Sequence, residues 1–196
     1  MNFIIKFLYA GLLCLVFTTL GCASTSKSVP EVQISPSFQR ASYGKLVILV
    51  DDNSRYVRDR GMLRQIEDEF MKVAIVKGYD VVTRSDKEKL LEEIHFENSG
   101  YASDIKPAEI GKMFNVPGVL IVSVNNISTR EYSPLLRMEG QRYYATQATL
   151  SARFIATESA QVLFLLNHTI EMKGNDRQQG DQAAAQCARE VAAMLP

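Results

Sequence analysis

The stretch "KLVILV", residues 45–50, is an almost unbroken aliphatic run. Strands with one face in water alternate apolar and polar residues, whereas strands buried on both faces of a sheet have continuous runs of this kind. The stretch therefore predicts a buried strand of an α/β fold. The polar residues 51–54, "DDNS", predict the end of that strand.

A helix and a second strand are predicted directly after this strand. The apolar residues from Met62 onward recur at helical spacing, and Gly78 stands where the C-cap of a helix is expected. Residues 79–84, "YDVVTR", then predict a short strand centred on two valines. The chain thus passes from strand to helix to strand, as in an α/β unit.

Two more helices and another buried strand are predicted next. Ser85 and Glu88 form the pattern of a capping box, in which the hydroxyl and the carboxylate each satisfy a free helix N–H. Pro107 suits the first position of a helix over residues 107–115. Residues 119–124 are again nearly all apolar, which predicts a strand.

The last third of the chain has a different period. Residues 146–156 and 162–172 alternate apolar and polar side chains, and the turn residues 158–160 separate them. This pattern predicts an antiparallel hairpin with one face on the core. A closing helix capped by Asp181 gives the order β-α-β-α-α-β-β-β-α, a single α/β domain over residues 45–196 with a mixed β-sheet packed by helices.

The amino terminus, residues 1–21, contains one early cation, Lys6, and no charge after it. The apolar run is about 15 residues long, shorter than the roughly 20 that a spanning helix needs, and small and polar residues close it. This anatomy is typical of a secretory signal peptide. A short membrane anchor and a buried helix are the alternatives.

The end of that run, Thr19-Leu20-Gly21-Cys22, resembles the bacterial lipoprotein box. The resemblance implies that Cys22 becomes the first residue of the mature protein and carries fatty acyl (palmitate) chains. Each buried CH₂ contributes about 0.8 kcal/mol, so several chains anchor a protein durably. By the same resemblance, Ala23 implies the outer membrane of a diderm bacterium.

Residues 22–44 are rich in serine and contain Pro30 and Pro36. This composition predicts a lipidated flexible tether between the membrane and the domain. With Cys14 removed and Cys22 acylated, Cys187 has no disulfide partner, and we interpret it as a small buried hydrophobe on a helix.

Charge and motifs argue against several classes of function. Lys plus Arg and Asp plus Glu both number 22, so the chain has no net charge with which to hold a nucleic acid. His95 and His168 have no second ligand at a suitable spacing, so no metal site is predicted. Asp51 and Asp52 end a buried strand, where α/β folds often place functional carboxylates, but a polar strand end is the favoured interpretation. No cofactor and no enzyme activity are predicted.

One segment, residues 129–144, combines tyrosines, leucines and arginines between two predicted strands. Aromatic residues and arginine are favoured at protein interfaces. A long hairpin whose side chains fold back on the domain is an equally good interpretation. If the segment is a contact surface, the candidate partner-binding residues are Tyr132, Leu135, Arg137, Tyr143 and Tyr144.

The domain resembles the CsgG-like family, which includes the curli-secretion lipoprotein and, more distantly, a lipoprotein activator of a penicillin-binding protein. The resemblance implies a periplasmic α/β domain whose shared motifs are structural rather than catalytic. Four stretches carry it: "LVILV" (46–50), "GYDVVTRSDKEKLLEE" (78–93), "KPAEIGKMFNVPGVLIVSV" (106–124) and "ATLSARFIATESAQVLF" (148–164).

These inferences together predict a non-enzymatic lipoprotein on the periplasmic face of the outer membrane, held there by a lipid on Cys22. The predicted role is a binding or assembly module whose partner is another envelope protein or a second copy. The alternative is a subunit of a CsgG-type secretion or assembly complex.

Overall fold

The computed structural model describes residues 25–54, 60–93, 105–133 and 141–196. Within these ranges the order of elements from residue 45 onward is the predicted one, and the α/β fold with a mixed sheet is confirmed. The strands are β1 (Thr25–Lys27), β2 (Glu31–Ile34), β3 (Lys45–Asp52), β4 (Asp80–Val81), β5 (Gly118–Tyr132), β6 (Tyr143–Ala156) and β7 (Val162–Gly174). The helices are α1 (Arg60–Val76), α2 (Arg84–Glu93), α3 (Ile105–Met113) and α4 (Gly180–Ala193), and a 3₁₀ helix spans Arg40–Tyr43.

All seven described strands form one sheet. β3 lies between β4 and β5 and is parallel to both, as its continuous aliphatic composition predicts. β6 pairs antiparallel with β5, and β7 pairs antiparallel with β6. β1 and β2 both pair with the outer edge of β7.

The larger core lies between the sheet and helices α1 and α4. Phe70 and Ile66 of α1 are fully buried there, as are Leu120, Leu150 and Phe164 of the sheet. α4 contributes small buried side chains, which allow the helix to approach the strands closely. These are Ala183, Ala184, Cys187, Ala188 and Ala192.

A smaller core lies on the opposite face, under α3. It contains Ile110 of α3, Val47 and Leu49 of β3, and Val119 and Ile121 of β5, all of them buried. β3 and the first half of β5 therefore have apolar residues on both faces, which explains why neither stretch alternates in sequence.

Buried ions connect α1, α2 and β3. The carbonyl of Leu46 accepts a hydrogen bond from the backbone of Val82, but β4 has ended by the level of Ile48. Lys87 Nζ donates to that Ile48 carbonyl at 3.1 Å and forms an ion pair with Glu67 Oε1 at 2.5 Å. Lys87 is 8% exposed and Glu67 is 7% exposed, so each charge depends on the other.

Arg84 extends this ion cluster toward the surface. Its guanidinium lies 3.1 Å from Glu67 Oε2 and 2.6 Å from Asp68 Oδ1. Arg84 is one of the residues that carry the CsgG-like resemblance, and its place here is structural, because it joins the start of α2 to the middle of α1.

The start of α2 differs from the prediction. Thr83 is the capping residue, since its Oγ1 accepts from the backbone N–H of Asp86 at 3.2 Å and donates to the Asp86 carboxylate at 2.7 Å. The pair Thr83 and Asp86 repeats the spacing expected for Ser85 and Glu88, two residues earlier. The helix therefore begins at Arg84, and β4 is shortened to two residues. Gly78 has a φ of 85° at the end of α1, as a C-cap requires.

The prediction of a flexible tether over residues 22–44 needs a correction. Residues 25–27 and 31–34 are strands paired with β7. Phe38 and Tyr43 stack at 5.6 Å and both pack edge-on against Phe154 of β6. Serine-rich composition was misleading because the outer edge of β7 supplies the hydrogen bonds, and an edge strand needs few apolar side chains to accept them.

The second half of the sheet is longer than predicted. β5 continues past Val124, across a register shift, to Tyr132, where the prediction ended the strand at residue 124. β6 begins at Tyr143 and pairs with β5 along its whole length. Within the predicted contact segment, residues 129–144, the described residues 129–132 and 143–144 therefore belong to the strands of a hairpin.

Candidate functional site

We use "far end" for the end of the sheet where Tyr132 pairs with Tyr143 and Tyr144 pairs with Gly174. The far end is built from the last residues of β5, the first residues of β6 and the last residues of β7. The chain enters the sheet here as well, because Thr25 at the start of β1 pairs with Met172.

One face of the far end carries a cluster of aromatic and charged side chains. Strand alternation and register place Arg130, Tyr132, Tyr143, Glu171 and Lys173 on that face. The rings of Tyr132 and Tyr143 are 6.2 Å apart, and Lys173 Nζ lies 5.8 Å from the Tyr132 ring centroid. Glu171 accepts from Arg130 at 2.8 Å and pairs with Lys173 at 3.2 Å.

Some of the predicted contact residues meet in this cluster and others do not. Tyr132 and Tyr143 are brought together, while Tyr144 pairs with Glu131 on the opposite face. Leu135 and Arg137 lie outside the described residues. The sequence prediction missed Glu171 and Lys173 because they belong to β7, which is distant in sequence from the hairpin and reaches it only through the register of the sheet.

A second candidate surface is the edge strand, which we define as residues 25–34. It is interrupted by a bulge where three residues oppose two of β7, and Ser28 Oγ holds the bulge by donating to the Thr169 carbonyl at 2.9 Å. On the described part of the chain, β2 pairs with β7 alone, so its other edge faces outward. Three apolar residues of this strand are exposed: Val29 (93%), Val32 (41%) and Ile34 (52%).

A pocket of about 510 Å³ opens behind the bulge. It is mostly apolar, and the buried His168 and the partly buried Glu190 supply its polar side, with Nε2 and Oε2 2.9 Å apart. His168 belongs to the core, because its side chain is 1% exposed. The full lining is Ser28, Val29, Pro30, His168, Glu190, Ala193 and Met194.

Asp51 and Asp52 occupy the end of β3. Asp52 accepts hydrogen bonds from the backbone N–H of Ser54 at 2.9 Å and from its hydroxyl at 2.5 Å, so it closes the turn after the strand. Burial raises the pKa of Asp51, and nearby Arg153 partly offsets this. Asp51 Oδ2 is buried without a hydrogen-bond partner among the described residues.

The remaining predicted residues have simple environments. Cys187 is fully buried, its Sγ lies 3.6 Å from the His168 carbonyl, and burial raises the pKa of its thiol to about 12. The interpretation of Cys187 as a small buried hydrophobe is confirmed. His95, Cys14 and Cys22 lie outside the described residues.

The described residues contain neither a metal-binding group of side chains nor a helix that could cross a membrane. Across residues 25–54, 60–93, 105–133 and 141–196, no three His, Cys, Asp or Glu side chains are grouped so that they could hold a metal ion. Over the same ranges, no helix has both the length and the apolar composition needed to cross a membrane.

The fold places the chain among single α/β domains with a mixed sheet, and here an amino-terminal edge strand pairs with β7. No protein-family model matches the chain. No curated protein matches it either.

Solved structures do resemble the chain. Lipoprotein GNA1162 from Neisseria meningitidis is 14% identical over 76% of this chain and 94% of its own, with a TM-score of 0.53. The PelC dodecamer from Paraburkholderia phytofirmans is 11% identical over 87% and 96%, with a TM-score of 0.48. The LpoB C-terminal domain from Salmonella enterica is 11% identical over 74% and 88%, with a TM-score of 0.43.

These comparisons concern the fold. The similarity to GNA1162 shows that a bacterial lipoprotein has the same arrangement of strands and helices across three quarters of this chain. The CsgG-like resemblance of the sequence remains a hypothesis, as does any shared role.

Proposed function

We propose that this chain is a lipoprotein of the periplasmic face of the outer membrane that acts as a non-enzymatic binding or assembly module for another envelope protein. The observation that carries the proposal is the edge strand, because it links the lipid-attachment residue to a free sheet edge. Cys22 precedes the first residue of β1 by three positions, and β1 and β2 together make up the edge strand.

The anchoring part of the proposal rests on the lipoprotein box and on the chain's entry into the fold. Pairing of β1 with β7 begins at Thr25, so only Ala23 and Ser24 separate Cys22 from the sheet. A lipid on Cys22 would therefore hold the domain against the membrane instead of at the end of a long tether.

The binding part of the proposal rests on the free edge of β2. An outward-facing edge offers backbone N–H and C=O groups to an added strand, and side-chain pockets give such an addition its specificity. Val32 and Ile34 lie on the α4 side of the sheet, opposite Leu166 and Phe164 of β7. A partner strand along β2 would cover both exposed side chains.

In-cell crosslinking tests this function. A photoreactive residue at Ile34 is expected to crosslink one envelope protein, identified by mass spectrometry and then shown to bind the purified lipoprotein. Val76 is the matched control, since it is an apolar residue with 87% exposure at the end of α1 and has no free strand edge. Equal capture at the two positions would argue against the edge strand.

A double variant completes the test. Val32→Lys with Ile34→Lys should abolish binding of the captured protein, because lysine on an edge strand opposes strand addition. The free energy of unfolding should change by no more than about 0.5 kcal/mol, since both side chains are exposed. Loss of stability together with binding would point to a structural role for these residues.

The free edge also favours one second candidate, a subunit of a secretion or assembly complex. A second copy could add to β2 in place of another protein, and an open edge repeated around an axis can generate a ring. Sedimentation of the purified lipoprotein distinguishes the two. Closed rings that dissociate in the Val32→Lys, Ile34→Lys variant would support the complex, and a monomer at all concentrations would exclude it.

A further inference from the structure

We propose that the far end of the sheet is a membrane-contact surface that lies against phospholipid headgroups when the protein is anchored. This inference rests on the proposed lipid at Cys22 and adds an orientation: far end toward the bilayer, β6–β7 turn away from it. It also assigns the tyrosine and lysine cluster of the hairpin to lipid rather than to a protein partner.

Chain length places the far end near the membrane. An extended chain spans at most about 3.6 Å per residue, so Cys22 lies within about 11 Å of Thr25. Thr25 pairs with Met172, which is two residues from the end of β7. An acylated Cys22 in the bilayer therefore keeps the far end of the sheet close to the membrane surface.

The side chains of the far end suit an interface between water and lipid. Tyrosine is enriched at such interfaces because its ring is apolar and its hydroxyl is polar. Tyr132, Tyr143 and Tyr144 all lie here and are partly exposed. The Tyr143 hydroxyl donates to Gln141 Oε1 at 2.8 Å.

Basic residues surround these tyrosines. Arg130 is 74% exposed and Lys173 is 36% exposed, and Arg142 and Arg177 are exposed nearby in sequence and register. Each basic residue close to an anionic membrane strengthens binding about fivefold. Among the described residues of this end, Glu131, Glu171 and Asp176 are acidic, so the attraction adds to the lipid anchor and does not replace it.

The β6–β7 turn, at the opposite end of these strands, lacks these features. It consists of residues 157–161, "TESAQ", which contain no aromatic and no basic side chain. The β6–β7 turn is therefore less suited to contact with headgroups than the far end is.

Fluorescence quenching measures which end faces the lipid. The full-length lipidated protein is placed in vesicles of phosphatidylethanolamine with a minor share of phosphatidylglycerol, some of it spin-labelled at the headgroup. A fluorophore is attached at Asn175→Cys near the far end or at Ser159→Cys in the β6–β7 turn, both exposed positions. Cys187 is buried, so the introduced thiol is the one that reacts, and labelling of Cys187 would report unfolding.

The expected result is several-fold stronger quenching at Asn175→Cys than at Ser159→Cys, and a smaller difference after Tyr132→Ser with Tyr143→Ser. Equal quenching, or stronger quenching at Ser159→Cys, overturns the orientation while leaving anchoring and partner capture intact. Release of the protein from the membrane with an unmodified Cys22 would overturn the anchor and the orientation together.

Photocrosslinking at Tyr132 separates lipid from protein as the occupant. A photoreactive residue there should give lipid adducts in cells, whereas the same residue at Ile34 gives a protein adduct. A protein adduct at Tyr132 in place of lipid would overturn the assignment and restore the hairpin as a partner-binding site.

Discussion

The strands β5, β6 and β7 have two halves with different environments. In the half away from the far end, around Val122, Leu150 and Phe164, the side chains toward α1 and α4 are fully buried. In the half toward the far end, around Tyr132 and Tyr143, the same strands carry threonines, Arg130 and partly exposed tyrosines. The comparison teaches that one continuous set of strands provides stability at one end and a surface for contacts at the other.

The largest expected effect contrasts one aromatic ring from each half. Phe154→Ala removes a buried ring that packs against Phe38 and Tyr43, and it should lower the free energy of unfolding by about 3–5 kcal/mol. Tyr132→Ala removes a partly exposed ring and should cost only about 1 kcal/mol. Urea unfolding measures both. Similar losses would contradict the division into two halves.

The next effect comes from removing a charge of the buried ion cluster between α1, α2 and β3. Glu67→Ala leaves the buried Lys87 ammonium without its carboxylate and should cost about 3 kcal/mol. Glu88→Ala is the control, because its ion pair with Arg64 is long, at 3.9 Å, and both side chains are more than half exposed. That control should change stability by less than about 0.5 kcal/mol. Thermal unfolding distinguishes the two variants.

Adding a methyl group at a tightly packed glycine should have a smaller effect on the free energy of unfolding. A Cβ added at Gly118 would overlap the ring of Phe154, so Gly118→Ala should cost about 1–3 kcal/mol through overpacking. Gly44→Ala is the matched control, since nothing lies within 4 Å of the added atom and its φ is −61°. If both variants unfold at the wild-type urea concentration, the close contact between Gly118 and Phe154 is not a constraint.

The smallest effect depends on pH. Burial raises the pKa of Asp51 above 3.8, so the folded state binds a proton more tightly than the unfolded state does. The ionised carboxylate therefore lowers stability above its folded pKa, and this penalty disappears as the pH falls toward 3.8. Asp51→Asn should be more stable than the wild type at neutral pH, with a difference that shrinks on acidification. A pH-independent difference in urea unfolding would contradict this cause.

Local sequence patterns predicted strands and helices well where the spacing of apolar residues was unambiguous. Continuous aliphatic residues located β3, and alternation located the β6–β7 hairpin, because those patterns report burial directly. The start of α2 was missed by two residues because Thr83 and Asp86 offer the same capping chemistry as Ser85 and Glu88. When two capping patterns are equally good, the end of the preceding strand decides which of them starts the helix.

The candidate site shows the same limit. Tyr132 and Tyr143 could be nominated from composition, but their neighbours Glu171 and Lys173 could not, since the register of β7 brings them together. The edge strand was missed for a related reason. Its residues have the composition of a linker, and they become a strand because β7 has an outer edge to pair with.

The sequence by itself determined the α/β class, the order of elements from residue 45 onward and the buried character of Cys187, because hydrophobic period and length specify these locally. Only the tertiary structure decided that residues 25–34 join the sheet, that the hairpin reaches Tyr132, and that charges from β5 and β7 share Glu171. Those features depend on pairing between segments far apart in sequence, and the energy of such pairing resides in backbone hydrogen bonds that no side-chain pattern records.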